Sequence, residues 1–404
     1  MKNRMIIGKG ITYSLDDFET HLNNNVLVVG ASGTGKTTGI VIPNILQADG
    51  SYIISDPKGN LYNKYSEYLS FKGYKVRKLD FTHPRESAHY NFFNYTHSYM
   101  DIAKICYMLM DHGERKSKMD PFWEESAILL LRAALGYFYE REIKSEANLK
   151  NVLKLLTYCR RDDEFSSGST GEKIFESHGK NNPGSIAAST FKMANSGPSR
   201  TFDSTLITIL SKLGIYDIPE ISEMTKDDTI DIEGIGKEKT AVFVIVSDTD
   251  RSLDALVNIF FTQAINTLCE YADNKTTDSR LPVPVRFILD DFATNCKIEE
   301  FPRIISCIRS RGISTMLMVQ AESQLKKGYG DDAETIISNC DTYVYLGGND
   351  IPTSESISVR LDVPVQRILN MPVGKEYVFR RGQEPVEAEI LKPGEWDRDR
   401  YRER

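Results

Sequence analysis

The chain has no C-x-x-C pair. Its six cysteines (Cys106, Cys159, Cys269, Cys296, Cys307 and Cys340) lie far apart, which excludes a dense disulfide framework and a zinc finger. They are expected to be buried thiols of a reducing compartment. Six histidines are equally scattered. No apolar run approaches the length that crosses a bilayer, and Met1-Lys2-Asn3-Arg4 leads into no signal peptide. No repeat recurs at solenoid periods. A strong positive charge is also missing: the net charge of −7 argues against a protein that coats duplex nucleic acid. What remains is the composition of a soluble globular protein, 40% apolar and 26% charged, in a chain of 404 residues that is too long for one ordinary core.

Against that plain background, Asn25-Val26-Leu27-Val28-Val29 runs into Gly30-Ala31-Ser32-Gly33-Thr34-Gly35-Lys36-Thr37. An apolar β-branched strand followed by G-x-x-x-x-G-K-T is the P-loop pattern. Glycines let successive backbone N–H groups converge on one phosphate cluster, and a following helix adds its positive end. Gly30, Ala31, Ser32, Gly33, Thr34, Gly35, Lys36, Thr37 and Thr38 are the expected nucleotide-binding residues. Lys36 would reach the β- and γ-phosphates of ATP, and the Thr37 hydroxyl would hold Mg²⁺.

The first part of the chain alternates as a parallel sheet does: strand Val26–Val29, helix Lys36–Gln47, strand Tyr52–Ser55, helix Leu61–Phe71, strand Lys75–Asp80. Pro43 should bend or shorten the first helix. From about Ser98 the pattern becomes helical, with apolar spacing over Met100–Met110, Pro121–Glu140, Leu149–Tyr158 and Ser204–Leu213. Polar stretches at Arg160–Lys173 and Asn181–Pro183 separate them. Strands return at Ala241–Val246, Val285–Leu289, Ser314–Val319, Thr342–Leu346 and Glu376–Arg380, with Asn274–Pro284 a linker by composition. The expected organisation is a nucleotide-binding domain in two parts, residues 1–97 and 232–392, around an all-α insertion, 98–231, with a charged tail, 393–404. The fold class is α/β: a RecA-like P-loop NTPase with a mostly parallel central sheet flanked by helices.

Val285-Arg286-Phe287-Ile288-Leu289 ends in Asp290-Asp291. A strand apolar on both faces has little reason to finish in paired acids unless they are used, although acids also begin solvated loops. In nucleotide hydrolases the first acid, here Asp290, anchors the Mg²⁺ shell and the second, Asp291, polarises water. The strand Ser314–Val319 ends in Gln320, where the strand inserted between the acid strand and the P-loop strand carries its γ-phosphate sensor. Just upstream, Arg309 and Arg311 suit an arginine finger reaching a neighbouring subunit, or equally a solvated helix end. Asp56 and Lys58 of Ser55-Asp56-Pro57-Lys58-Gly59 either line the ligand crevice or make a tight turn. A small GTPase is excluded, because Asn274-Lys275-Thr276-Thr277-Asp278 is one residue too long for N-K-x-D. The distance in chain between Lys36 and Asp290 excludes a small P-loop kinase.

With these residues in place, the sequence resembles the type IV coupling proteins, conjugative DNA-transfer ATPases of TraG/VirD type. The resemblance runs from Ile6 to about Pro364 and rests on Asn25–Thr37, Pro43–Gln47, Ser51–Leu61, Pro121–Glu124, Thr240–Asp250, Leu289–Ala293 and Arg309–Gln320. The form is that of Gram-positive mobile elements, without transmembrane helices. The resemblance implies a homo-hexameric RecA-like ring using ATP and Mg²⁺, with Lys36 and Thr37 on phosphate and metal, Asp290 supporting the metal and Gln320 sensing the γ-phosphate. It also implies partners: single-stranded DNA with bound relaxase, and membrane-embedded secretion channel components or a separate membrane anchor. The expected place is cytoplasmic, peripheral to the inner face of the membrane. Asp291 departs from the glutamate of many relatives. A duplex-DNA pump of FtsK or HerA kind shares the core, and a nucleotide-gated docking platform for protein substrates with little turnover is the non-motor alternative.

Overall fold

The computed structural model describes residues 3–110, 121–141, 143–160, 168–392 and 394–395. The chain divides into two compact units, one of Met1–Thr82, Asp231–Arg251 and Ala264–Arg404, the other of His83–Ile230 and Ser252–Gln263.

The first unit is built on eleven strands: β1 (Arg4–Gly8), β2 (Ile11–Ser14), β3 (Val26–Val29), β4 (Ser51–Pro57), β5 (Lys75–Asp80), β6 (Thr240–Val246), β7 (Val285–Leu289), β8 (Ile313–Val319), β9 (Thr342–Tyr345), β10 (Lys375–Arg380) and β11 (Val386–Glu389). β1 and β2 form a separate antiparallel hairpin. The other nine make one sheet in the order β11-β10-β9-β3-β8-β7-β4-β6-β5. Pairing is parallel from β9 to β5, whereas β10 and β11 add antiparallel. Every residue of β3, β6, β7 and β9 is buried, as parallel strands covered on both faces must be. Full burial of a Val or Leu contributes about 1.5–3 kcal/mol, so the short β3 is held by its apolar faces as well as its ladder.

β8 lies between β3 and β7, with Val29 opposite Val319 and Leu289 opposite Leu317. The P-loop strand and the acid strand are therefore not adjacent, and the strand ending in Gln320 separates them. This is the expected RecA-like order.

The helix after the P-loop departs from a regular α-helix in the way Pro43 demands. Lys36–Val41 is a π-helical turn in which the Ile42 N–H reaches back to the Thr37 carbonyl, and α-helix Ile42–Leu46 follows with the proline in its first turn. Proline cannot donate to the preceding turn. The Asn44 amide donates to the Ile40 carbonyl at 2.7 Å, and it bonds Ile6 of β1 through both its carbonyl and amide groups. The hairpin is thereby tied to the P-loop helix. The hairpin also rests on β10: a Cβ on Gly8 would meet Glu376 Oε1 at 1.7 Å, so a larger residue there would have to displace the Glu376 carboxylate.

The second unit is helical within its described residues. Its main helices are Tyr99–Met110, Pro121–Glu140, Leu149–Tyr158, Thr170–Asn181, Ile186–Ala194 and Ser199–Leu213. Phe175 stacks on Phe191 at 4.1 Å, and Phe191 meets Phe202 edge-on. The unit begins at His83, earlier than the residue-98 boundary read from periodicity. The segment before Ser98 has only 3₁₀ turns, Pro84–Glu86 and Phe92–Tyr95. It nevertheless belongs to this unit: Tyr90 donates to Gln263 at 2.5 Å, and Asn91 donates to the Ala147 carbonyl at 2.7 Å. The second segment, Ser252–Gln263, is the first half of helix Asp254–Lys275. Two helices, Thr170–Asn181 and Ile186–Ala194, are not among the helices expected from apolar spacing; the first begins inside the polar stretch Arg160–Lys173 and ends at Asn181. No helix among the described residues is long and apolar enough to cross a membrane. Cys106, Cys159, Cys296 and Cys340 are buried, but Cys307 is exposed, against expectation. Most of the charged tail lies outside the described residues.

Candidate functional site

The cleft at the carboxyl ends of β3, β7 and β8 has a volume of about 300 Å³ and is lined by Ser32, Gly33, Gly35, Lys36, Thr37, Thr38, Asp290, Asp291 and Gln320. Gly30, Ala31 and Thr34 shape it from behind. A Cβ on Gly30 would meet Thr34 Oγ1 at 2.6 Å and Leu346 Cβ at 2.8 Å. Gly35 sits at φ 95°, where a side chain would be strained. The Thr34 hydroxyl closes the loop on the Ala31 carbonyl at 2.8 Å, and the Ala31 N–H bonds Gly347 O at 3.0 Å. The loop conformation is thus fixed by its own backbone and by the segment after β9.

Lys36 is only 8% exposed. Burial pushes its amine below the ordinary lysine value, and the carboxylates of Asp291 and Asp290 oppose that shift. Its ammonium donates to the Gly30 and Ala31 carbonyls, the latter at 3.1 Å. Neutral carbonyls compensate a buried cation less well than anionic oxygens do, so the amine is held ready for a better partner in the same loop.

Thr37 Oγ1 donates to Asp290 Oδ2 at 2.8 Å. Asp290 is 9% exposed. Burial raises its carboxyl pKa, the Thr37 hydroxyl and Lys36 lower it, and the neighbouring Asp291 raises it further. Hydroxyl and carboxylate, side by side at the foot of a P-loop, are the oxygen donor set that suits Mg²⁺. The residues present therefore fit the ion that the motif implies.

Asp291 lies at φ 50°, a left-handed conformation that costs about 1–3 kcal/mol for a non-glycine residue. The turn is over-determined. Thr294 and Asn295 N–H groups both bond the Asp291 carbonyl, at 3.1 and 3.0 Å, and the Phe292 N–H bonds Met318 O of β8 at 2.9 Å. Gln320 Nε2 donates to Asp291 Oδ1 at 3.4 Å, and the Gln320 N–H bonds Gln324 Oε1 at 2.8 Å. Gln320 and Asp291, 29 residues apart, thus face one another. Arg251, after β6, donates to the Thr294 carbonyl at 2.6 Å and braces this acid turn. It was not singled out from sequence; its position just beyond the carboxyl end of a parallel strand was the available signal.

Asp56 and Lys58 do not line the cleft. Asp56 accepts from the Leu61 and Tyr62 N–H groups at 3.0 and 2.8 Å, capping helix Asn60–Phe71. Its pKa still rises to about 6, because burial outweighs those two donors. Lys58 pairs with Asp248 at 3.0 Å. Arg309 and Arg311 are not brought to this cleft either. They precede β8, at its amino end, where the Arg309 guanidinium donates to the Asp17 carbonyl at 2.7 Å and Arg311 makes a two-pronged pair with Asp273 at 2.9 and 2.7 Å.

The family profile described as type IV secretory system conjugative DNA transfer matches residues 1–362. The conjugal transfer protein TraG of Escherichia coli is 24% identical over 83% of this chain and 54% of its own length. VirD4 of Agrobacterium fabrum is 26% identical over 84% of this chain and 50% of its own. The chain thus spans about half the length of these relatives. Among solved structures, the plasmid coupling protein TrwB in complex with ADP and Mg²⁺ superposes with a TM-score of 0.69 at 17% identity, over 97% of this chain and 90% of that one. That likeness supports the fold described above. With the profile covering most of the chain, the protein belongs to the type IV secretory system conjugative DNA-transfer family.

Proposed function

We propose that the chain is an ATP-hydrolysing coupling protein of conjugative DNA transfer, which recruits relaxase-bound single-stranded DNA and drives it toward a membrane secretion channel. The observation carrying this reading is the convergence of Lys36, Thr37, Asp290, Asp291 and Gln320 on one cleft. The structures of TrwB with ADP and Mg²⁺ and with a non-hydrolysable ATP analogue support a nucleotide in that place.

In this mechanism the free amides of the loop and first helical turn bind the phosphates. Lys36 exchanges the carbonyls of Gly30 and Ala31 for phosphate oxygens. Thr37 and Asp290 would hold Mg²⁺, which when bound would neutralise phosphate charge. Asp291 and Gln320 orient the attacking water, and their mutual hydrogen bond keeps the carboxylate and amide aimed at a shared position. Arg309 or Arg311 would complete the site of a neighbouring subunit in a hexameric ring, exchanging its present carboxylate partner for developing phosphoryl charge. DNA contacts would be to phosphates and base faces, and so sequence-tolerant and salt-sensitive. The chain would work in the cytoplasm, against the inner face of the membrane, through partners.

The test is ATP turnover by the purified chain, with and without single-stranded DNA, over a range of protein concentrations. Expected are stimulation by single strands above duplex and a steep concentration dependence, both abolished by Lys36→Ala along with DNA transfer. Transfer surviving in Lys36→Ala would instead favour a docking platform, and stronger stimulation by duplex would favour a duplex pump.

A further inference from the structure

At the amino ends of the parallel strands, within the first unit, lies a cavity of about 260 Å³. Its charged lining residues are Asp17, Asp49, Lys239, Arg280, Arg286 and Arg309. Four cations face two carboxylates there, leaving an excess of two positive charges. The carboxylates are already engaged: Asp17 takes both prongs of Arg280 at 2.6 and 3.2 Å, and Asp49 accepts the Asn3 N–H at 2.7 Å.

Arg286 sets this cavity apart. It occupies a strand buried on both faces, in register with Tyr52 of β4 and Ser314 of β8, and is only 8% exposed. Its Nε donates to Ser314 Oγ at 3.3 Å, which uses one of five donors. The nearby charged or ionisable groups it feels are Tyr52 and Asp49. A guanidinium taken out of water without a paired anion costs several kcal/mol, and an apolar residue would satisfy the sheet better at this position. The strand keeps instead a fork of donors at the wall of an electropositive cavity.

We infer that this cavity binds a dianionic phosphate group: inorganic monohydrogen phosphate, or a terminal phosphate monoester. Arg286, Lys239 and Arg280 supply donors to its anionic oxygens. A diester phosphate of a nucleic-acid backbone carries one negative charge and matches the excess of two positive charges less well. The site is separate from the P-loop, which lies at the opposite ends of the same strands, and the inference stands whatever the P-loop holds.

The experiment is calorimetric titration of the full chain with inorganic phosphate at constant ionic strength. It is done in a Lys36→Ala background so that the P-loop does not contribute. One saturable site is expected, weakened at least tenfold by Arg286→Met and several-fold by Lys239→Ala. Lys239 is exposed, so the second variant keeps the reading decisive if the first fails to fold. Competition separates the two sources of the group. Displacement by a 5′-phosphorylated oligothymidylate, but not by its unphosphorylated form, assigns the site to a strand terminus, and displacement by neither assigns it to free phosphate. Absence of saturable phosphate binding overturns the inference, as does affinity unchanged in both variants or equal competition by the unphosphorylated strand.

Discussion

The Thr37 hydroxyl and the Asp290 carboxylate, 253 positions apart in the chain, meet at 2.8 Å. The bond joins the end of the P-loop to the end of β7 across the intervening β8, and it places two oxygen donors where a divalent ion would sit. Asp290→Asn keeps the shape and removes the charge. Turnover should fall by about 10²–10³-fold, the scale of losing one preorganised charge stabiliser, while nucleotide affinity falls much less. Parallel measurement of steady-state hydrolysis and of nucleotide binding checks this. Equal turnover in wild type and variant would remove Asp290 from the site.

Gln320 touches Asp291 through its side chain and is anchored to Gln324 through its backbone. Truncation to alanine should therefore leave the loop in place and take away only the contact to the acid. The expected result is a lower kcat with little change in the nucleotide Kd, read by single-turnover hydrolysis beside equilibrium binding. A Kd that rises in step with the loss of kcat would mean that Gln320 holds ground-state nucleotide instead.

Glu376 is fully buried under the β1–β2 hairpin, neither of its carboxylate oxygens has a hydrogen-bond partner, and burial pushes its pKa up to about 8. A folded-state pKa above the unfolded one stabilises at low pH, and that stability is lost as pH rises through the folded value. The first unit should therefore weaken between about pH 4.5 and pH 8, by about 3–5 kcal/mol for a shift of this size. Glu376→Gln should flatten that dependence and be the more stable form above pH 8. Chemical denaturation across this range decides it, and identical pH slopes would show that the carboxyl finds a partner.

Glu140 has the opposite balance. Burial alone would raise its pKa, but donors from Ser185, Tyr99, Ala187 and His178 outweigh burial and lower it. Ser185 Oγ and His178 Nε2 each lie 2.6 Å away, with the Ile186 and Ala187 N–H groups at 2.9 and 3.0 Å. Stability from this carboxylate is present above its unfolded pKa and lost as pH falls below it. Glu140→Ala would strand these donors and should cost the helical unit about 3 kcal/mol or more. Unfolding followed by helical circular dichroism, with the P-loop unit monitored separately by nucleotide binding, would localise the loss.

What was legible in the sequence was set by burial. β3, β7 and β8 announce themselves because a strand covered on both faces reads as a largely apolar run, broken here by Arg286 in β7 and by Ser314 and Thr315 in β8, and an acid or amide at the end of such a run stands out. Elements held by polar geometry did not stand out. Helix Thr170–Asn181 starts at a capping box of Ser169 and Glu172, and Ile186–Ala194 at the Ser185 hydroxyl. Both are short and begin at polar caps, so neither gives a long apolar period. β11, largely exposed, has no buried face to give a period. The segment before Ser98 joins the helical unit through Tyr90 and Asn91 side chains, which no periodicity reveals. Asp56 gave two readings because an Asp-Pro pair suits both a turn and a crevice wall. Only the two N–H groups it caps decide between them.

β3 draws both its neighbours, β8 and β9, from segments far downstream in the chain. During synthesis the strand leading into the phosphate loop emerges well before either of them, and it stays without a lateral partner until β8 has left the ribosome. The helical unit, complete by Gln263, is free to consolidate meanwhile. A product that stopped short of Ile313 would carry two bare edges on its most apolar strand, a template for aggregation, and would have no wall against which to seat the loop.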